Sequence, residues 1–217
     1  MQNPAADGRY DEDYFLRGKE TGKSLYKDYR WLPDLTVPMC ERIAEHCEME
    51  MTDRILDFGC ARGYSVKAFR ILGFEAWGVD VSSWAISNAD PDVRDYVSLE
   101  WPAAPVDWII AKDVLEHISF HALEDVVQQL FQARKGILVV VPLAFRPSIS
   151  EKWQYVVPEY EADVTHVVRW PLEVWTDLFL KFMPAGWQIQ AQYRVKGIKD
   201  NYSQFEKGNG FIMLRKT

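Results

Sequence analysis

Two short stretches of this 217-residue chain carry residue types that could do chemistry. The first runs Ile55-Leu56-Asp57-Phe58-Gly59-Cys60-Ala61-Arg62-Gly63 and is followed by Trp77-Gly78-Val79-Asp80-Val81-Ser82. Glycines let a backbone turn sharply and approach a ligand closely. A helix opening after such a turn offers free N–H groups, and an acid ending the second segment can grip both hydroxyls of a ribose. The second stretch is Asp113-x-x-Glu116-His117, with a further histidine at His166. An imidazole whose unperturbed pKa is ~6.5 suits a general base. Carboxylate and imidazole together also fit Mg²⁺ or Mn²⁺.

The glycine turn does not spell a dinucleotide site. Its pattern is Gly59-x-Ala61-x-Gly63 rather than G-x-G-x-x-G. Asp57 stands two residues before the first glycine, where a pyrophosphate would be repelled and a ligand ammonium would be stabilised, through water or backbone. A tight turn with no ligand is the plain alternative, but Asp57, the turn and Asp80 sharing one βαβ unit argue against it. For His117 the plain alternative is a Glu-His pair that caps a loop by hydrogen bonds. For His166 it is an Asp163-x-Thr165-His166 turn with side-chain bonding to the backbone.

These residues need elements to hold them. Residues 1–36 mix aromatics (Tyr10, Tyr14, Phe15, Tyr26, Tyr29, Trp31) with charges and show neither helical nor strand periodicity. They read as an N-terminal arm of short helical turns over the body, placed to act as a lid. Apolar residues at 37, 40, 43, 44 and 47 have helical spacing. Strands are then expected at 54–58, 75–80, 95–99, 106–111 and 136–141, and helices at 63–72, 82–88 and 122–133. Strands separated by helices imply parallel pairing with right-handed crossovers. Residues 142–170 form a long irregular insertion, placed near an acceptor site, whose Trp153, Tyr155 and Tyr160 favour order. A helix at 171–182 and strands at 187–193 and 211–214 close the chain as an antiparallel edge hairpin. No repeat or second-domain boundary is visible, so 1–217 reads as one domain.

Composition bounds the partners. Hydrophobic content of 48% with 26% charged residues is that of a soluble globular protein. A net charge of −7 makes nucleic acid an unfavourable partner. The longest apolar runs are strand-length, which argues against a membrane span. The opening residues lack a basic and apolar leader, and the three cysteines read as reduced core residues, so a cytoplasmic location is expected. With only His46 near Cys40 and Cys47, a zinc site there has little support.

The segments ILDFGCARGYSVKAF, GFEAWGVDVSSWAI and AKDVLEHI resemble class I S-adenosylmethionine-dependent methyltransferases, over about residues 53–141. DFGCARG and DVLEHI, with the opening YDEDYF and the later Asp163-Val164-Thr165-His166-Val167, are similar to a widespread bacterial and phage branch. Members of that branch often accompany sugar-modifying genes. The resemblance implies an α/β, Rossmann-like seven-stranded sheet, mostly parallel with an antiparallel edge hairpin and helices on both faces. It implies S-adenosylmethionine as cofactor, with Gly59, Ala61 and Gly63 along its methionine and ribose side. Alanine at 61 stands where the family often has glycine. Asp80 would hold the ribose hydroxyls, and Val81 would cover one adenine face. Ser98 would lie near the adenine amino group, where the family has an acid or amide, and Lys112 would offer its backbone carbonyl to an ammonium.

The expected reaction is methylation of a hydroxyl on a small-molecule or saccharide acceptor, with His117 as base. N- or carboxyl-methylation, and an inactive cofactor-binding scaffold, stay open. Asp113, Glu116, His117 and His166 also resemble the ligand set of some metal-dependent O-methyltransferases of small-RNA and ubiquinone-pathway type. Asp113 is one methylene shorter than the glutamate expected there, so no metal ligand is assigned. The oligomeric state is not legible.

Overall fold

The computed structural model describes residues 8–217; residues 1–7 of the expected arm lie outside the described residues. The arm carries α1 (Glu12–Leu16) and α2 (Gly18–Thr21), and α3 (Pro33–His46) follows. Asp11 caps α1 by accepting from the Tyr14 amide at 3.0 Å. α3 starts four residues before the expected 37, at Pro33, whose missing N–H is no loss in a first turn. It also accommodates Pro38.

The body alternates β1 (Arg54–Phe58), α4 (Tyr64–Ile71), β2 (Glu75–Val79), α5 (Ser83–Ser87), β3 (Val97–Ser98), β4 (Trp108–Lys112), α6 (Phe120–Leu130) and β5 (Gly136–Pro142). A two-stranded ladder of β6 (Ala144–Phe145) and β7 (Gln154–Tyr155) lies in the insertion, and α7 (Leu172–Phe182), β8 (Trp187–Gln192) and β9 (Asn209–Lys216) finish the chain. The sheet order is β3-β2-β1-β4-β5-β9-β8. β1 to β5 pair in parallel, and β9 runs antiparallel to both β5 and β8. This is the expected seven-stranded sheet. The third strand is shorter than expected: Arg94–Tyr96 form a 3₁₀ turn, leaving only two residues to pair.

Both faces of the sheet are covered, which is why β5 reads as an unbroken apolar run. Ile137, Val139 and Val141 point to a core with Leu123 and Val127 of α6 and Trp175 and Phe179 of α7. Leu138 and Val140 point the other way, to Ile43 of α3 and Val66 and Phe69 of α4. Cys40, Cys47 and Cys60 are buried and free, and burial pushes the Cys47 thiol up to about 12. Among the described residues no helix is long and apolar enough to cross a membrane.

The strand order reverses between β1 and β4, because the chain leaves β1 toward β2 and returns across it to reach β4. Loops leaving these two strands diverge and open a crevice at their carboxyl ends, where open α/β sheets bind ligands. Asp57, Gly59, Lys112 and Asp113 all lie at that edge.

Candidate functional site

The turn after β1 is built by backbone demands. Gly59, Ala61 and Gly63 have φ of 82°, 48° and 80°. A Cβ on Gly59 would sit 2.3 Å from Val114 Cγ2, so only glycine fits between the turn and the β4 loop. The Gly59 and Cys60 amides donate to the Val79 carbonyl, at 2.8 and 3.1 Å. Asp80 ties the turn to β2: its carboxylate accepts from the Ala61 amide at 2.7 Å and from the Ser82 amide at 2.8 Å. The Val81 amide also approaches this carboxylate. Val81 is half-buried beside it. Ser98 is exposed at the same edge; its carbonyl accepts from the Asp80 amide and its hydroxyl from the Glu100 amide.

Asp57 is 6% exposed. Burial pushes its carboxyl up to about 7, with the Asp80 charge in the same direction and the Lys112 charge opposing. A cation brought to this position would be strongly favoured. Lys112 donates to Asp113 at 2.6 Å. Asp113 has φ +59°, uncommon outside glycine, and Lys199 also ion-pairs with it. Burial works against this charge, but the two lysines hold the Asp113 carboxyl well below the usual range. Nothing in the polar stretch 196–209 pointed to Lys199. Its side chain also donates to Asn209 Oδ1 at 2.9 Å, and Lys199 is left-handed as well.

Beyond Asp113, a 3₁₀ turn at Leu115–His117 carries the second group. Glu116, His117 and His166 each offer a ligand atom, all within 4.8 Å of one another. Asp113 stands outside this trio. The four-residue set suggested by resemblance therefore reduces to three, and the lysines account for the fourth. His117 Nδ1 lies 2.7 Å from Thr165 Oγ1, and Thr165 donates to Asp163 Oδ1 at 2.5 Å. His166 Nδ1 lies 3.0 Å from the Tyr160 carbonyl, which can only accept. Burial lowers both histidines, His117 to about 4 with His166 as second cause. Glu116, 1% exposed, is pushed up to about 8 by burial and then by Asp113. Its Oε2 has no hydrogen-bond partner. The turn expected at 163–166 is present, since the Thr165 amide donates to Asp163 Oδ1 at 2.9 Å.

The arm covers both groups. The Tyr10 carbonyl accepts from Ser82 Oγ at 2.6 Å, and the Tyr10 ring meets His117 edge-on at 5.9 Å. Tyr14 donates to Asp163 Oδ2 at 3.1 Å, and Phe15 stacks on Trp84 at 5.4 Å. Arg62, inside the glycine turn, donates to the Tyr29 carbonyl at 3.1 Å. On the insertion side lies a cavity of about 1060 Å³, bordered by Phe120, Phe145, Trp153, Tyr155, Arg169 and Trp170. Tyr155 joins it to the histidines, its ring 5.3 Å from that of His166.

Residues 30–182 match the sequence profile of a methyltransferase domain family. The chain belongs to that family. No curated protein sequence is detectably similar. Among solved structures, a SAM-dependent methyltransferase from Archaeoglobus fulgidus superposes with a TM-score of 0.60 at 15% identity, over 85% of this chain and 95% of that one. The plantazolicin methyltransferase BpumL, solved in complex with SAH, gives 0.62 at 14% identity, over 98% and 94%. The YcgJ protein of Bacillus subtilis gives 0.58 at 18% identity, over 82% and 97%. At such identities the likeness is one of fold.

The buried acid of this methyltransferase makes stability depend on pH. Folding raises the Asp57 carboxyl from 3.8 to about 7, so the native state keeps a proton that the unfolded chain releases. That stability is complete below about pH 4 and is lost as pH rises through 7. Thermal unfolding of the ligand-free protein should therefore fall from pH 4 to 7 more steeply than that of Asp57→Asn. The difference should be on the order of 4 kcal/mol, and equal slopes for the two proteins would refute the assignment.

Proposed function

We propose that this protein is an S-adenosylmethionine-dependent methyltransferase acting on a hydroxyl, with His117 as the base. The observation that carries the reading is the pairing of the Asp80-bound glycine turn with a histidine whose Nδ1 is engaged by Thr165, leaving Nε2 for an acceptor. The donor supplies a methyl group already activated on a sulfonium. Gly59, Ala61 and Gly63 would allow close approach along its methionine and ribose side. Asp80 would take the ribose hydroxyls, with Val81 and Ser98 toward the adenine. Asp57, with the Lys112 carbonyl, would meet the ammonium, and the SAH bound in BpumL supports this choice of donor. The acceptor oxygen attacks the methyl carbon as the sulfur–carbon bond breaks onto sulfur, and the hydroxyl proton passes to Nε2. Burial favours the neutral His117 ring, which can accept that proton, and makes it a weaker base than a free imidazole.

We read the whole chain as one such domain. Residues 1–36 are its lid, and the aromatic cavity of the 142–170 insertion seats a small-molecule or saccharide acceptor. The DFGCARG and DVLEHI motifs support the bacterial and phage branch, and three free cysteines suit the cytoplasm. A second reading has its own observation. Glu116, with one orphaned oxygen, His117 and His166 form a donor set of one carboxylate and two imidazoles that would suit a transition-metal ion such as Mn²⁺ better than Mg²⁺. Such an ion would acidify a bound hydroxyl, and His117 would then be a ligand rather than a base.

Calorimetry should find micromolar binding of S-adenosylmethionine, about −8 kcal/mol. Asp80→Ala should weaken it by on the order of 1.5–3 kcal/mol, and tighter binding of NAD would sink the reading. Hydrogen exchange across residues 10–31 should slow when the donor binds; unchanged protection would remove the lid. His117→Ala should lower methyl transfer by ~10²–10⁴ with donor affinity kept and no response to chelators. Loss of activity in Glu116→Ala and His166→Ala, with rescue of chelated wild type by Mn²⁺, would select the metal. Full activity of His117→Ala would end both versions.

A further inference from the structure

Asp163 and Thr165 are 4% exposed each and lie 46 and 48 positions beyond His117 in the chain. A hydroxyl has one proton to give and two lone pairs to offer. Thr165 gives that proton to Asp163 Oδ1, at 2.5 Å. Its oxygen can therefore only accept from the ring nitrogen 2.7 Å away. The His117 proton is thereby confined to Nδ1, and Nε2 carries the lone pair. The direction of this relay is itself held in place. Asp163 Oδ1 also takes the Thr165 amide at 2.9 Å, and Oδ2 takes the Tyr14 hydroxyl at 3.1 Å. A carboxylate so surrounded by donors leaves the threonine no option but to donate.

We infer that Asp163 and Thr165 are positioning residues that fix the His117 tautomer and present its Nε2 to the acceptor, and that Tyr14 extends this hold to the N-terminal arm. The inference rests on the role given to His117 above, and it concerns the orientation of that ring. A turn that merely approaches the next helix needs the amide bond from Thr165 to Asp163. It has no use for a threonine hydroxyl between a carboxylate and an imidazole. Substituting valine for threonine keeps the branched shape and removes only the hydroxyl.

The test uses the full-length protein with ¹⁵N-labelled histidine. Wild type should show His117 as the Nδ1–H tautomer, and Thr165→Ser should keep it. Thr165→Val should show a mixture with Nε2–H, while S-adenosylmethionine affinity stays within error of wild type. Turnover in Thr165→Val should fall on the order of 10–100-fold, as for other partners that orient a histidine through its second nitrogen, with the loss in kcat rather than KM. Thr165→Ser should recover most of it. An unchanged tautomer in Thr165→Val overturns the inference, and so does full turnover alongside a changed one. Full turnover by His117→Ala overturns the base reading instead, and the two are separable because the tautomer is read without any acceptor.

Discussion

Two buried carboxyl groups, Asp57 and Glu116, and the partly buried Asp113 crowd the carboxyl end of a parallel sheet, and the cost of keeping them there organises the rest of the site. Charged groups taken out of water are strongly disfavoured unless paired. The protein meets this differently at each position. Asp113 is clamped by Lys112 and Lys199 and stays ionised. Asp57 feels Lys112 without a hydrogen bond to it and is driven toward neutrality. Glu116 has the Asp113 charge nearby and an unpartnered oxygen, and is driven further. Perturbations of this kind gather where ligands complete the electrostatics. A cation beside Asp57 would supply what the protein leaves out.

The backbone strain fits the same picture. Gly59, Ala61, Gly63, Asp113 and Lys199 all hold positive φ, and they flank the loops that leave β1 and β4. Asp113 and Lys199, neither of them glycine, are tied to one another. Their ion pair helps offset the cost of two uncommon backbone conformations. It also fastens the long polar segment before β9 to the loop that carries Glu116 and His117. The arm adds a second tie through Tyr10, Tyr14 and Tyr29. The glycine turn and the histidine cluster are thus bound into one hydrogen-bonded set by segments from both ends of the chain.

Much of the fold was legible in the residues. Short apolar runs, glycine turns and apolar helix faces placed β1, β2, β4 and β5 within about two residues, because those signals are local. β3 came out short because Arg94–Tyr96 turn as a 3₁₀ segment, a choice that depends on contacts with β2. α3 began earlier than its apolar spacing indicated, since Pro33 and the next two residues form a first turn that buries little. The site was legible in part. Asp57, the turn, Asp80 and Glu116-His117 stand in sequence patterns and Tyr14 stands among the arm aromatics, whereas Lys199 carries no local mark of its role. The Asp163–Thr165 turn was visible, but its bond to His117 was not.

The sequence by itself determined which residue types lie at the ends of β1, β2 and β4, because strand and turn chemistry is written within a few neighbours. It therefore determined the methyltransferase architecture and the glycine–aspartate grip at its centre. Tertiary structure alone decided that Asp113 leaves the histidine cluster for two lysines, and that Glu116, His117 and His166 converge. It also set the Thr165 hydroxyl against Nδ1 of His117. Each of these needs at least one partner distant in the chain, Lys199 for Asp113 and His166 for the cluster, and is settled by desolvation and hydrogen-bond direction once the chain is packed.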